Sequence, residues 1–272
     1  MALTVVVVSC NKTDVPQSAS GEPQEIILSV DGSGIEAEVT TKTSVVSSLP
    51  STLYFAGTTG SNSSQGNKWS STSKSVSSGK ISTGYYQTET PTSYNYYLSN
   101  LSMTSGGTGC TISADGTLTD AIAGVAKSTA STSPSVSMEH IFARTGSVTG
   151  SCTNYTVSNL SVSIQSTSGT GYKGTYNIYS GTWSSVTGLS STTITSASDR
   201  YLIPGTYTIT ASATISRGDY SGTVSGSTNI TLTKGKINDI AVKFSADPAQ
   251  PINVSVSLAA WSNQTVNATI AG

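Results

Sequence analysis

The side chains able to do chemistry are few and widely spaced. His140 is the only histidine. It cannot build a multi-histidine metal centre, and a serine triad would need it as base beside a Gly-x-Ser-x-Gly elbow that the chain lacks. Its expected role is structural, at the edge of a core face. The glutamates are Glu22, Glu25, Glu36, Glu38, Glu89 and Glu139. Glu36 and Glu38 share one face of a strand, which suits a solvated surface, and nothing arranges a glycosidase pair. Gly106-Gly107-Thr108-Gly109 has no helical pattern after it to cradle a phosphate. Cys110 and Cys152 fall in different halves of the chain, with no Cys-x-x-Cys or metal-like spacing. In an oxidising compartment they are a candidate disulfide stapling the halves; the alternative is two isolated thiols in polar loops. No catalytic, metal or cofactor site is expected, and the chain reads as a non-enzyme. Tyr85, Tyr86, Tyr94, Tyr96 and Tyr97 form the one aromatic cluster. It reads either as a stacking surface for carbohydrate or protein, or as ordinary half-buried strand residues.

Cys10 is the remaining reactive group. It closes the run Met-Ala-Leu-Thr-Val-Val-Val-Val-Ser-Cys, an apolar segment followed by a small residue and a thiol. Val7-Val8-Ser9-Cys10 has the form of a lipobox, whose lipid is attached through sulfur; the alternative is a first strand with an incidental cysteine. Asn11–Pro23 then reads as a tether, polar and without periodicity. Charged residues make up 10% of the 272, against about 25% for an average soluble protein. Ser, Thr and Gly take their place, as in a secreted β-protein with a neutral polar surface. The net charge is −1 and the 13 Lys and Arg are scattered, so no nucleic-acid partner is expected. No apolar run reaches the roughly 18 to 20 residues of a membrane-spanning helix.

The elements that must position these groups are strands. Ile26, Leu28 and Val30 alternate, Asp31-Gly32 marks a turn, and Ile35, Ala37 and Val39 alternate again, which predicts a hairpin. Leu53–Ala56 is a short strand, and Trp69 is expected to plug one end of a sandwich. Lys127–Ser135 is a loop of small residues. Val136–Arg144 then reads as the first strand of a second domain, with Val136, Met138, His140 and Phe142 on one face. Further strands are predicted at Tyr155–Ile164, Gly174–Tyr179, Tyr207–Ile215, Ile230–Leu232, Ile240–Phe244 and Ile252–Leu258. Lys234-Gly235-Lys236 makes a tight connection, and the chain closes with alternating Val266, Ala268 and Ile270. Trp183 and Trp261 are expected to anchor the second core. The division is residues 1–23 as signal end and tether, 24–133 as a first β-sandwich, and 134–272 as a second. Residues 262–272 form a candidate donor strand; the alternative is that they pair within their own domain.

Three segments taken in order resemble the fimbrillin-like proteins, the type V pilin subunits of the Bacteroides group. These are Met138–Arg144, Gly174–Trp183 with its Gly-Thr-Tyr-Asn-Ile-Tyr-Ser-Gly-Thr-Trp, and the closing pattern Ile230–Phe244 with Ile252–Trp261. The resemblance implies an all-β chain of two tandem transthyretin-like Greek-key β-sandwiches. It also implies export as a lipoprotein held at the outer membrane by lipid on Cys10. Assembly with other fimbrial subunits would follow by strand exchange, after removal of an N-terminal segment. The family's best-known members are cut after arginine. Here the arginines are Arg144, Arg200 and Arg217, so a cut near the start would follow another residue, with Lys42 the candidate. The expected function is a structural or adhesive subunit of cell-surface fimbriae. The alternative is a monomeric surface lipoprotein binding a host protein or glycan through the tyrosine cluster.

Overall fold

A computed structural model describes residues 24–34, 48–60, 66–87, 93–196, 200–245, 253–260 and 265–266. Cys10, the tether, Ile35–Val39, Lys42, Trp261, Ala268 and Ile270 lie outside the described residues.

The described chain is all-β. In chain order the strands are β1 (Gln24–Gly34), β2 (Thr52–Thr59), β3 (Gly66–Ser75), β4 (Lys80–Gln87), β5 (Tyr94–Ser99), β6 (Thr104–Gly106), β7 (Gly109–Asp115), β8 (Ile122–Thr129), β9 (Ser135–His140) and β10 (Ala143–Cys152). There follow β11 (Thr156–Ser166), β12 (Lys173–Asn177), β13 (Thr182–Thr187), β14 (Thr192–Ile194), β15 (Tyr201–Leu202), β16 (Gly205–Arg217), β17 (Tyr220–Leu232), β18 (Lys236–Phe244), β19 (Asn253–Ala260) and β20 (Thr265–Val266).

They form four sheets. The first runs β3-β2-β5-β8-β9-β1-β4. Its two end strands, β3 and β4, are joined by residues 76–79 alone, so the sheet must curl on itself to bring them together. Ile26, Leu28, Phe55, Trp69, Ile81, Tyr96, Leu98, Val136 and Met138 fill its inside. A second sheet, β13-β12-β7-β6, covers part of the outside over Tyr97, Ile112, Phe142 and Tyr176. Strand β5 is therefore buried on both faces, all six residues of it, which is why Tyr-Asn-Tyr-Tyr-Leu-Ser shows no alternation. The other two sheets, β15-β10-β18-β19-β20 and β14-β11-β16-β17, face each other across a core of Ile164, Tyr207, Ile209, Ile215, Val242 and Phe244. Their outer faces need no apolar residues. On β16 and β17, Thr210 faces Ser227 and Thr208 faces Asn229, with side-chain contacts of 3.1 and 3.0 Å. Cross-strand pairs of this kind contribute about 0.2–1 kcal/mol each.

Several expectations are corrected. Val136–Arg144 is two strands rather than one. The side chains of Ile141 and Phe142 are consecutive and both fully buried, and the Ile141 amide bonds the Ala121 carbonyl at 3.0 Å, so alternation breaks there. Strand β9 belongs to the first sheet, between β8 and β1. Lys127–Ser135 holds the end of β8 and a connection within that sheet. The chain passes to the other pair of sheets at Ile141-Phe142. Gly174–Trp183 forms most of the β12–β13 hairpin, which pairs with β7 and so serves the first half of the molecule. Trp183 accordingly packs half-buried against Phe142 and Tyr176, at ring distances of 5.1 and 5.0 Å, and not in the second core. Asp31-Gly32 is no turn: β1 continues through it to Gly34, with an irregular register against β9.

Trp69 lies within the first core, not at its end. Its ring sits 5.3 Å from Tyr85, 5.0 Å from Tyr94 and 6.0 Å from Tyr96. Gly57 makes room for it: a Cβ there would fall 2.2 Å from Trp69 Cε3. The indole packs on bare backbone of the neighbouring strand. Gly57→Ala is therefore expected to destabilise the protein by about 1–3 kcal/mol through overpacking. Urea unfolding followed by tryptophan fluorescence measures it, and an unchanged midpoint would mean that the indole is not seated there.

Candidate functional site

The region on which the functional expectations bear is the seat of β1. This strand runs parallel to β9 on one side and antiparallel to β4 on the other. Its alternate residues Ile26, Leu28 and Val30 are 0, 0 and 8% exposed, so three consecutive inward positions fill sockets in the first core. The opposite face carries Ile27, which is 38% exposed. Backbone bonds hold both sides: Ile27 N–H to Thr132 O at 2.8 Å, Ser29 N–H to Pro134 O at 2.9 Å, and Val30 N–H to Gly79 O at 2.8 Å. The Thr83 hydroxyl donates to the Ile26 carbonyl at 2.7 Å.

A side-chain latch holds the N-terminal end. The Glu25 carboxylate accepts from the Ser82 hydroxyl and, at 3.0 Å, from the Gly84 amide. These two groups belong to an irregular stretch of β4 where the register against β1 shifts. The Ser82 hydroxyl and then the Gly84 amide hold the carboxyl below its ordinary value; partial desolvation opposes them and Lys74 adds a small attraction.

At the other end of the chain, β20 pairs antiparallel with β19, Leu258 opposite Val266 and Ala259 opposite Thr265. Of Val266, Ala268 and Ile270, only Val266 falls within the described backbone.

The link between the two halves is dense with polar contacts. Gly235, at φ +62°, allows the Lys-Gly-Lys turn between β17 and β18. Its amide donates to the Phe142 carbonyl at 2.8 Å. Buried Asn238 donates to the Lys236 carbonyl at 2.8 Å and the Arg144 carbonyl at 3.1 Å, and accepts from the Thr233 amide at 2.9 Å. Lys234 pairs with Glu139 at 2.5 Å. Burial pulls the Lys234 ammonium down, but the Glu139 carboxylate and Tyr176 outweigh it, and its pKa rises. His140 lies fully buried with Nδ1 2.9 Å from Asp120 Oδ2, also fully buried. That is the structural role expected of it.

The cysteine pair is not formed. Cys110 and Cys152 are free buried thiols in two different cores, the first between the two sheets of the first half and the second in the second sandwich. Burial pushes the Cys110 thiol up to about 11, against a weaker pull from the Ser105 hydroxyl. The tyrosine cluster is not a surface either. Tyr96 and Tyr97 are fully buried and Tyr94 nearly so, leaving Tyr85 half-buried and only Tyr86 open, at 56%. Among the described residues no group of three His, Cys, Asp or Glu is placed to hold a metal.

Sequence reasoning missed the neighbours of β1, and it missed Tyr207. That hydroxyl, fully buried, lies 2.7 Å from the Ile203 carbonyl and 2.9 Å from the Gly171 carbonyl, and accepts from the Gly171 amide at 3.0 Å. The available signal was a tyrosine at the first inward position of a long alternating strand, where a buried phenol needs a partner.

These features define a class: an all-β chain of several packed sheets whose first described strand is built into the core. Solved structures share the fold. Two crystal structures of candidate cell adhesion proteins from Parabacteroides distasonis align with TM-scores of 0.52 and 0.51, each 10% identical. The first alignment covers 88% of this chain and 97% of that one; the second covers 89% and 100%. A candidate cell adhesion protein from Bacteroides uniformis aligns at 0.48, with 11% identity over 88% of this chain and 98% of that one. No protein-family profile and no curated protein sequence matches this chain.

The latch makes a pH prediction. Glu25 has a folded pKa below its unfolded value, so its contribution to holding β1 is full above the ordinary glutamate range and is lost as pH falls through the folded value. Protection factors of the Ile27 and Ser29 amides are expected to fall on acidification relative to those of β16, and Glu25→Gln should flatten that dependence. Identical pH profiles for the two proteins would show that the carboxylate does not hold the strand.

Proposed function

We propose that this chain is a non-catalytic subunit, structural or adhesive, of cell-surface fimbriae. In this reading lipid on Cys10 carries it to the outer membrane, and it assembles with other fimbrial subunits by strand exchange. A host protein or glycan would be the ligand of the assembled surface. The cell-adhesion designation of the proteins that share its fold supports the surface role.

The observation that carries assembly is the seat of β1. It is the first strand described, it lies between two others, and residue 42 follows it before β2 begins. A cut after Lys42 would separate it from the rest of the chain in one piece. Its departure would uncover three sockets, each worth about 1.5–3 kcal/mol when refilled by an aliphatic side chain. It would also bare the backbone groups of β9 and β4 that β1 now pairs. Such a groove accepts an extended segment from a neighbour by β-augmentation. Val266, Ala268 and Ile270 have the i, i+2, i+4 spacing of Ile26, Leu28 and Val30, so they can enter the same three sockets. Ala268 fills the middle one least.

The test is electron microscopy of chain cut at Lys42, with and without residues Asn267–Gly272. The cut full-length chain is expected to build filaments, and the truncated one to stay soluble, folded and unpolymerised. Filaments from the truncated protein, or its unfolding as a monomer, would overturn the assignment of the donor.

A further inference from the structure

The geometry points to a second assembly surface, independent of strand exchange: the free edge of β17, which we infer pairs with β17 of a second copy of this chain. Proteins guard sheet edges by keeping them short, charged, kinked or covered, because the unpaired N–H and C=O groups there template another strand. Most edges in this molecule follow that rule. The end strands β6, β14, β15 and β20 have 3, 3, 2 and 2 described residues, and β13 has 6. The longer β3 and β4 end the same sheet but are joined to each other by a turn.

Strand β17 breaks the rule in length, in charge and in regularity. It is 13 residues long and ends its sheet, and among the described residues only β16 pairs with it. Tyr220–Leu232 contains no Lys, Arg, Asp, Glu or Pro. Its register against β16 is unbroken from Gly205 opposite Leu232 to Arg217 opposite Tyr220, so no bulge twists it away.

The chemistry of the edge selects the partner. The outward side chains Ser221, Thr223, Ser225, Ser227, Asn229 and Thr231 are neutral, and so are those of β16 beside them. A charged strand gains nothing here, whereas a second copy meets no like-charge repulsion. Antiparallel pairing of β17 with itself about Gly226 sets Ser225 against Ser227, Thr223 against Asn229 and Ser221 against Thr231. The sheet already uses this chemistry on the other side of β17, where Ser225 faces Ser212, Asn229 faces Thr208 and Thr231 faces Thr206. A two-fold pairing of this kind joins two four-stranded sheets into one of eight and covers both edges at once.

The test uses the uncut full chain, in which β1 stays seated, so the outcome does not depend on strand exchange. Sedimentation equilibrium is expected to show a dimer that dissociates on dilution. Ser225→Lys with Ser227→Lys, both on the solvent face, brings four cations together at the two-fold axis. That variant is expected to sediment as a monomer with an unchanged thermal midpoint. Ser158→Lys with Ser161→Lys, on β11 away from the edge, should leave the dimer intact. As a check on register, mild oxidation should cross-link a mixture of Ser225→Cys and Ser227→Cys chains faster than either alone. A wild-type chain monomeric at millimolar concentration, a dimer indifferent to the paired lysines, or no preference in cross-linking would each overturn the inference.

Discussion

A β-strand has two edges, and its backbone groups need partners on whichever edge is closed off from water. Most of this molecule's behaviour follows from how that requirement is met. Strand β1 has both edges occupied and its inward side chains in the core, so the chain that precedes β2 supplies a structural part which the rest of the sheet cannot replace internally. Strand β17, among the described residues, has one edge paired and the other unpaired over 13 residues.

The two halves are tied through a small set of polar contacts and through an apolar cluster in which Tyr201, Ile203 and Ile237 join Phe142, Tyr176 and Trp183. The turn at Lys234-Gly235-Lys236 reaches back to Phe142, Asn238 bonds the Arg144 carbonyl, and Lys234 pairs with Glu139. All of these converge on the segment where β9 ends and β10 begins. Buried, directional hydrogen bonds fix the relative register of the halves in a way that apolar contact alone does not. The crossing of β12 and β13 into the first half adds a second link, since the chain enters that half twice.

What the sequence revealed depended on whether one face of a strand was buried and the other wet. Strands β16 and β18 alternate between buried and more exposed positions, and both were legible. Where a strand is buried on both faces, as in Tyr94–Ser99, or where two inward residues follow each other, as at Ile141-Phe142, periodicity carries no direction. The first ten residues of β17 escaped notice for the opposite reason. Gly222, Val224, Gly226 and Thr228 form its inner side, and these small residues make almost no apolar signal. Partner strands were not legible at all. Nothing local in Ile26–Val30 shows that its neighbours are β9 and β4, because pairing between strands so far apart in the chain is decided by the whole sheet. The cysteines were left open for a related reason: with their distance unknown, compartment and number alone do not decide between a bond and two separate thiols, and the thiols stand in separate cores.

The central claim is that β1 occupies a seat which a strand from another copy can take. Native mass spectrometry tests it on chain cut at Lys42 and mixed with a synthetic peptide of residues 262–272. The account requires the N-terminal fragment to leave as the peptide binds, one for one, and requires a peptide with Val266, Ala268 and Ile270 all changed to Ser to displace nothing. An N-terminal fragment that stays bound against excess peptide, or leaves equally with the serine peptide, would contradict it.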